Sequence, residues 1–228
     1  MNYFYSNNII GKEIILDEQE MIHCVKVLRN KVGDNICVVD GMGSIFFAEI
    51  TKIDINKCYL RILDSKKTKN NNNVQLIISP TKNHKRIEWM IEKIVEIGVE
   101  RVTFMICKNS IRDSINLDRL NKIALSAMKQ TQNTVLTKID DCVPFQQAID
   151  SVLSKERYIA HLNKIDIPHL SSVLKNDKNR CILIGPEGDF TDDEVCYALK
   201  NNFIEVSLGS SRLRTETAGM VSATILNL

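Results

Sequence analysis

The chain has 228 residues, 44% of them apolar and 25% charged, and a formal net charge of +2. That composition describes a folded globular protein with room for one large domain or two unequal ones, and it excludes dominant disorder and a strongly basic nucleic-acid-binding chain. No run reaches the roughly 18 apolar residues of a membrane span, and the opening MNYFYSNN has neither the basic and apolar sections of a secretory signal nor an Arg-rich transit pattern, so a cytoplasmic protein without membrane contact is expected.

In chain order, residues 18 to 28 read as a helix. Ile36 to Val39 and Ser44 to Ile50 are β-rich runs on either side of the turn signal Asp40-Gly41-Met42-Gly43, and Cys58 to Leu63 gives a third strand. Residues 65 to 73, SKKTKNNNN, hold no apolar side chain and read as a solvated linker. The expected division is therefore a small, mostly β domain over 1–69 and a larger domain over 74–228. Beyond the linker the period changes. Val74 to Ser79 reads as a buried strand, and Ile87, Met90, Ile91, Ile94 and Val95 share a helical face that Gly98 stops, with Trp89 read as packing. Arg101 to Cys107 is the next strand, and Leu117, Leu120, Ala124, Ala127 and Met128 stripe the next helix. Strands at 158–162, 181–184 and 204–208 follow, separated by helical stretches. Strand and helix in alternation imply a parallel sheet covered on both faces. The seven cysteines are scattered and never form Cys-x-x-Cys, so neither a disulfide framework nor a metal site is expected.

In such sheets ligands bind beyond the carboxyl ends of the strands, where loops turn into helix amino termini with free N–H groups. Gly185-Pro186-Glu187-Gly188-Asp189-Phe190 stands at one such junction. Its glycines allow close backbone approach, Thr191 with Glu194 makes a capping box, and Asp189 reads as a turn or cap residue. By itself, any well-capped turn could look like this. After the run 204–208, Gly209-Ser210-Ser211-Arg212-Leu213-Arg214-Thr215-Glu216-Thr217-Ala218 repeats the arrangement, and the two loops form one pocket if their strands are adjacent. No dinucleotide or P-loop glycine pattern is present, so main-chain groups rather than a phosphate cradle would hold the ligand. His161 and His169 stand too isolated to be proposed as ligands or catalysts.

Leu183 to Gly188 with Thr191 and Glu194, and Leu208-Gly209 followed by Leu213 to Ala218, resemble the carboxyl-terminal motifs of the ribosomal RNA small subunit methyltransferase E family, in the SPOUT class of S-adenosylmethionine-dependent enzymes. Upstream, His23 with Val27-Leu28-Arg29, Gly33-Asp34, Asp40-Gly41, the helix Glu92 to Val99, and Ala127 to Gln130 are similar to family landmarks in the expected order. The chain departs from the pattern at Asp189 (commonly Gly), Lys129 (commonly Glu), Asn133 and Thr137 (commonly Arg and Pro) and Ser211 (commonly Arg, here displaced to Arg212). These departures bear on RNA contacts more than on the cofactor pocket.

The resemblance implies an α/β fold: a SPOUT-type parallel sheet with a carboxyl-terminal trefoil knot, plus an amino-terminal PUA-like β-barrel that helps hold RNA. It implies a homodimer that transfers a methyl group from S-adenosylmethionine to N3 of a uridine in small-subunit ribosomal RNA, free or in the assembled subunit. The cofactor residues would be Leu162, Ile184, Gly185, Pro186, Glu187, Gly188, Leu208, Gly209, Leu213, Arg214 and Thr217. Arg214 is the choice for stabilising charge on the uracil oxygens or orienting a phosphate, with an ion pair to Glu216 or Glu187 as the structural alternative. Glu216 and Glu187 are candidate bases for the N3 proton, although Glu near a helix start also serves the dipole. Local basic clusters, His23, Lys26 and Arg29 in the first domain and Lys82, His84, Lys85 and Arg86 in the second, are the expected RNA contacts. The competing readings are another SPOUT enzyme acting on transfer RNA and a non-catalytic RNA-binding assembly factor.

Overall fold

The computed structural model describes residues 3–68, 73–162 and 166–228. The chain divides into two compact units, Met1–Asn70 with Leu125–Leu136, and Asn71–Ala124 with Thr137–Leu228.

In the first unit, β1 (Tyr3–Tyr5), β2 (Ile9–Ile10), β3 (Glu13–Leu16), β4 (Asn35–Val39), β5 (Ser44–Ile53) and β6 (Cys58–Lys67) form one sheet in the order β1-β4-β5-β6-β3-β2. Its pairs are antiparallel except β1 with β4. Alternate residues such as Ile14 and Leu16, Ile36 and Val38, and Ala48 and Ile50 point into one core, as the two-residue period requires. Helix α1 (Glu18–Met21), capped by the Asp17 carboxylate, continues as a π-helical stretch, Ile22–Val27. Strands β1 to β3 hold two to four residues each, too few to announce a period in the sequence. The linker reading also needs correcting, because Ser65 to Lys67 end β6 and Asn73 begins β7, while 69–72 lie outside the described residues. Exposed strand ends pair through their backbones whatever their side chains, so polar composition alone misled there.

Lys129, where the family commonly has Glu, joins its ammonium to the buried carboxylate of Glu20, which also accepts from the Tyr5 N–H at 3.2 Å. The departure therefore comes with a partner of opposite charge.

In the second unit, β7 (Asn73–Ile78), β8 (Arg101–Ile106), β9 (Lys138–Pro144), β10 (Glu156–Ala160), β11 (Asn179–Ile184) and β12 (Ile204–Val206) form an all-parallel sheet in the order β12-β10-β11-β7-β8-β9. The helices are α2 (His84–Ile97), α4 (Phe145–Asp150), α5 (Leu170–Val173), α6 (Asp192–Lys200) and α7 (Thr215–Leu226), together with the first part of α3 (Leu117–Gln130), whose residues from Leu125 on belong to the first unit. Both sheet faces are covered. Ile77, Met105, Ile159 and Leu183 pack with Phe145 and Ala148 of α4 and Val195 and Ala198 of α6. On the opposite face, Leu76 and Ile78 meet α7, where a Cβ on Gly219 would come within 2.9 Å of the Ile78 side chain and 3.1 Å of the Met90 sulfur. Glycine is what lets α7 lie that close to β7 and α2. Trp89 is not the packing residue expected, since at 45% exposure it projects from α2 into solvent.

At the amino ends of these strands a buried polar hub anchors α7. The Arg180 guanidinium donates to the Leu226 carbonyl at 2.8 Å, the Lys175 carbonyl at 2.7 Å and the Glu156 carboxylate at 3.3 Å. Glu156 accepts in addition from the Tyr158 hydroxyl at 2.7 Å and from the N–H groups of Lys175 and Asp177. Burial and the neighbouring Glu156 carboxylate push the Tyr158 phenol well above its ordinary pKa, so it stays a donor. A buried carboxylate stripped of its cation costs about 3–5 kcal/mol. Arg180→Met should therefore lower unfolding stability by about 3 kcal/mol in urea denaturation, whereas a loss below about 1 kcal/mol, the scale of an exposed pair, would contradict this role.

Candidate functional site

All strands of the second sheet run one way, so β10, β11 and β12 deliver their following loops to one edge. The two glycine-bearing loops do meet there, but not because their strands are neighbours. β10 lies between β11 and β12, and its end, Ala160 to Leu162, completes the site between them. The Thr215 hydroxyl at the start of α7 donates to the Gly185 carbonyl at 3.1 Å and joins the loops directly. A Cβ on Gly185 would meet the Phe190 ring at 3.1 Å, and Gly209 has φ +121°, so each loop has its glycine for a separate steric reason.

The cavity so formed holds about 260 Å³. Ile184, Val206, Leu208, Leu213 and Ala218 give it apolar walls, and Glu187, Asp189, Arg86, Arg212 and Arg214 place charges around them. Of the expected cofactor residues, Leu162, Ile184, Gly185, Pro186, Glu187, Leu208, Gly209, Leu213 and Arg214 line it. Gly188 and Thr217 do not. The Gly188 carbonyl instead accepts from the Asn109 side-chain amide at 3.1 Å. Thr215 and Ala218, three apart on α7, share the lining face, and Thr217 falls between them on another side of the helix.

The carboxylates here are mostly structural ties. Glu187 accepts from the Lys82 N–H at 2.9 Å, which binds the β7–α2 loop to the β11–α6 loop. Asp189, in the left-handed region at φ 60°, accepts from the Leu162 N–H at 2.9 Å and the Phe190 N–H at 2.8 Å. Its carboxylate thus ties the end of β10 to the glycine loop where the family commonly has Gly. Glu194 closes the capping box with Thr191 and also accepts from the Lys108 N–H at 2.8 Å. Burial, then the nearby Glu194 charge, push the Cys107 thiol far above its ordinary pKa, which leaves it protonated and unreactive.

Arg214 lies at the amino-terminal cap position of α7, exposed at the cavity, and among the described residues its guanidinium has no hydrogen bond or ion pair. The alternative pair to Glu216 or Glu187 does not form. Glu216 does not line the cavity, and its buried carboxylate pairs with Arg86 at 3.5 Å. Lys82, His84 and Lys85 are exposed and, with Arg86, Glu187 and Ile111, line a second groove. That groove shares Arg86 and Glu187 with the cavity. In the first unit, the half-buried His23 ring stands 5.7 Å from Phe4, and Lys26 and Arg29 are exposed.

Sequence reasoning missed His161. Its imidazole is buried, its Nε2 is 3.0 Å from a Glu205 carboxylate oxygen, and the residue lines the cavity directly after β10. The same strand-end argument used for β11 and β12, applied to β10, would have found it. Ser211 and Arg212, the displaced pair, both line the cavity.

Residues 68–227 match the model of the RNA methyltransferase domain, and residues 16–63 match that of the RNA methyltransferase PUA domain. The chain is 30% identical over 224 residues to the ribosomal RNA small subunit methyltransferase E of Buchnera aphidicola, covering 92% of this chain and 86% of that one. Among solved structures, a probable rRNA-methyltransferase from Porphyromonas gingivalis superposes with TM-score 0.90 at 38% identity, over 98% of this chain and 95% of that one. The ribosomal RNA small subunit methyltransferase E from Neisseria gonorrhoeae, solved bound to S-adenosyl methionine, superposes with TM-score 0.86 at 26% identity and the same coverage. With its PUA-like amino-terminal sheet, its parallel carboxyl-terminal sheet and these matches along nearly its whole length, the chain belongs to the ribosomal RNA small subunit methyltransferase E family of RNA methyltransferases.

Proposed function

We propose that the chain methylates N3 of a uridine in small-subunit ribosomal RNA with S-adenosylmethionine as donor. The observation that carries this reading is one cavity closed by the two glycine loops, with Arg214, unpaired among the described residues, exposed at its wall. At about 260 Å³ it lies just below the roughly 300–1,000 Å³ of small-molecule sites. Its chemistry suits the donor: apolar walls for adenine, main-chain groups at Gly185, Leu208 and Gly209 for polar edges, and the Glu187 and Asp189 carboxylates for a cation. The Neisseria relative's bound ligand supports the same assignment. We further propose that 1–69 is the RNA-holding domain and 74–228 the transferring one, that the chain works as a cytoplasmic homodimer, and that its carboxyl-terminal segment is knotted. No described helix is long and apolar enough to cross a membrane.

When bound, S-adenosylmethionine supplies the methyl group, whose bond to sulfur breaks as the bond to uracil N3 forms. The protein's part is alignment and charge. Arg214 stabilises the negative charge that spreads onto the uracil oxygens as the N3 proton leaves. Of the two carboxylates considered as acceptors for that proton, Glu187 is the one on the cavity wall. Asp189 holds the Leu162 main chain in place, and Lys82, His84 and Lys85 receive the RNA backbone.

Incubating small-subunit ribosomal RNA with the chain and the donor, then digesting to nucleosides for mass spectrometry, should yield N3-methyluridine. Unmodified RNA, or methyl groups on ribose, would overturn the reading. Arg214→Ala should lower kcat/KM about 100-fold, the scale of one lost electrostatic donor, while donor affinity measured by calorimetry stays within about twofold. Full activity would remove Arg214 from the mechanism. Asp189→Ala should weaken donor binding about 5- to 10-fold, the worth of one charge-assisted hydrogen bond, and unchanged affinity would contradict its role.

A further inference from the structure

The Glu216 carboxylate is one that the transfer chemistry above does not use. It sits in the first turn of α7 with its side chain 7% exposed, and among the described residues its one ion-pair partner is the Arg86 Nε at 3.5 Å. Burying a carboxylate is costly, and a single long contact is poor compensation. The helix packing explains how the pair is held. Arg86 and Met90, four apart, share a face of α2. Glu216 and Gly219, three apart, share the facing side of α7. The glycine permits the close approach already described, with the Met90 sulfur 3.1 Å from where its Cβ would stand. The two helices thus leave Glu216 opposite Arg86 and little freedom for either.

The other end of Arg86 faces elsewhere. Its side chain is 39% exposed and lines both the cavity and the neighbouring groove with Lys82, His84, Lys85 and Ile111. Its nearest approach to Glu216 is through Nε, and among the described residues neither terminal nitrogen makes a hydrogen bond. A part-exposed guanidinium kept beside a buried carboxylate, with terminal donors free of hydrogen bonds, can capture a phosphate in bidentate fashion. We propose that Glu216 is a positioning residue acting through Arg86, and that Arg86 so held grips a phosphodiester of the RNA strand where the groove meets the cavity. The assignment rests on the RNA-methyltransferase reading and gives that site its RNA-backbone clamp.

The test is a double-mutant cycle on Arg86→Ala and the isosteric Glu216→Gln, read at fixed salt by filter binding of transcribed small-subunit ribosomal RNA and by methylation kinetics. Each single variant should raise the RNA Kd and KM about 5- to 10-fold, one charge-assisted contact, with kcat and donor affinity held. The double variant should bind no worse than Arg86→Ala alone, because Glu216 has no effect without its arginine. Arg86→Lys, which keeps the charge and loses the fork, should recover only part of the affinity. Additive effects on RNA binding would overturn the proposal, as would a Glu216→Gln defect confined to kcat, which would return Glu216 to acid–base chemistry. Failure of the wild type to methylate RNA would overturn the functional reading instead, and RNA affinity would still report on the pair.

Discussion

A hydroxyl on the first turn of α7, donating to the carbonyl that follows β11, holds the site together. The glycine loops come from strands separated by β10, so nothing in the sheet ladder itself brings them into contact. The Thr215–Gly185 bond does, and the end of β10 fills the space between. Everything chemical at this edge depends on that closure: the apolar walls face one volume only while both loops keep their positions, and Arg214 reaches its opening because α7 starts there. Gly219, which lets α7 lie against β7 and α2, and Arg180, which holds the Leu226 carbonyl, secure the same helix at its middle and far end.

The electrostatics divide into charges that build the site and charges left to act. Glu187, Asp189 and Glu194 are satisfied by main-chain N–H groups, a cheap way to hold a carboxylate beside a helix amino terminus. Glu216 has Arg86 as its one ion-pair partner among the described residues. Cationic and unpaired among the described residues are Arg212 and Arg214 at the cavity, and Lys82, His84 and Lys85 along the groove. A modest net charge therefore conceals a locally basic edge, which is what a polyanionic partner responds to.

Much of this was legible in the residues. The apolar stripe of α2, its Gly98 stop, the buried runs of β7, β8 and β11, and the Thr191–Glu194 capping box carry strong local signals, and the structure bears out each. Edge strand β9, KIDDCVP, went unread because aspartates and a terminal proline suppress its pattern while its backbone still pairs with β8. The glycine loops were visible because close backbone approach demands particular residues. His161 and the true partner of Glu216 were not, since the one depends on a strand end between two others and the other on a residue 130 positions away. Thr217 does not line the cavity, because its place in the sequence puts it at a different angle around α7 from Thr215 and Ala218.

The central claim is that the volume enclosed by 184–187, 160–162 and 208–215 is where the methyl donor binds. A crystal structure of the chain grown with S-adenosylmethionine tests it most directly. The account predicts density for the adenosine between Ile184, Leu208 and Leu213, with the methyl group directed toward Arg214. An empty cavity at saturating donor, or density at another edge of the sheet, would contradict it.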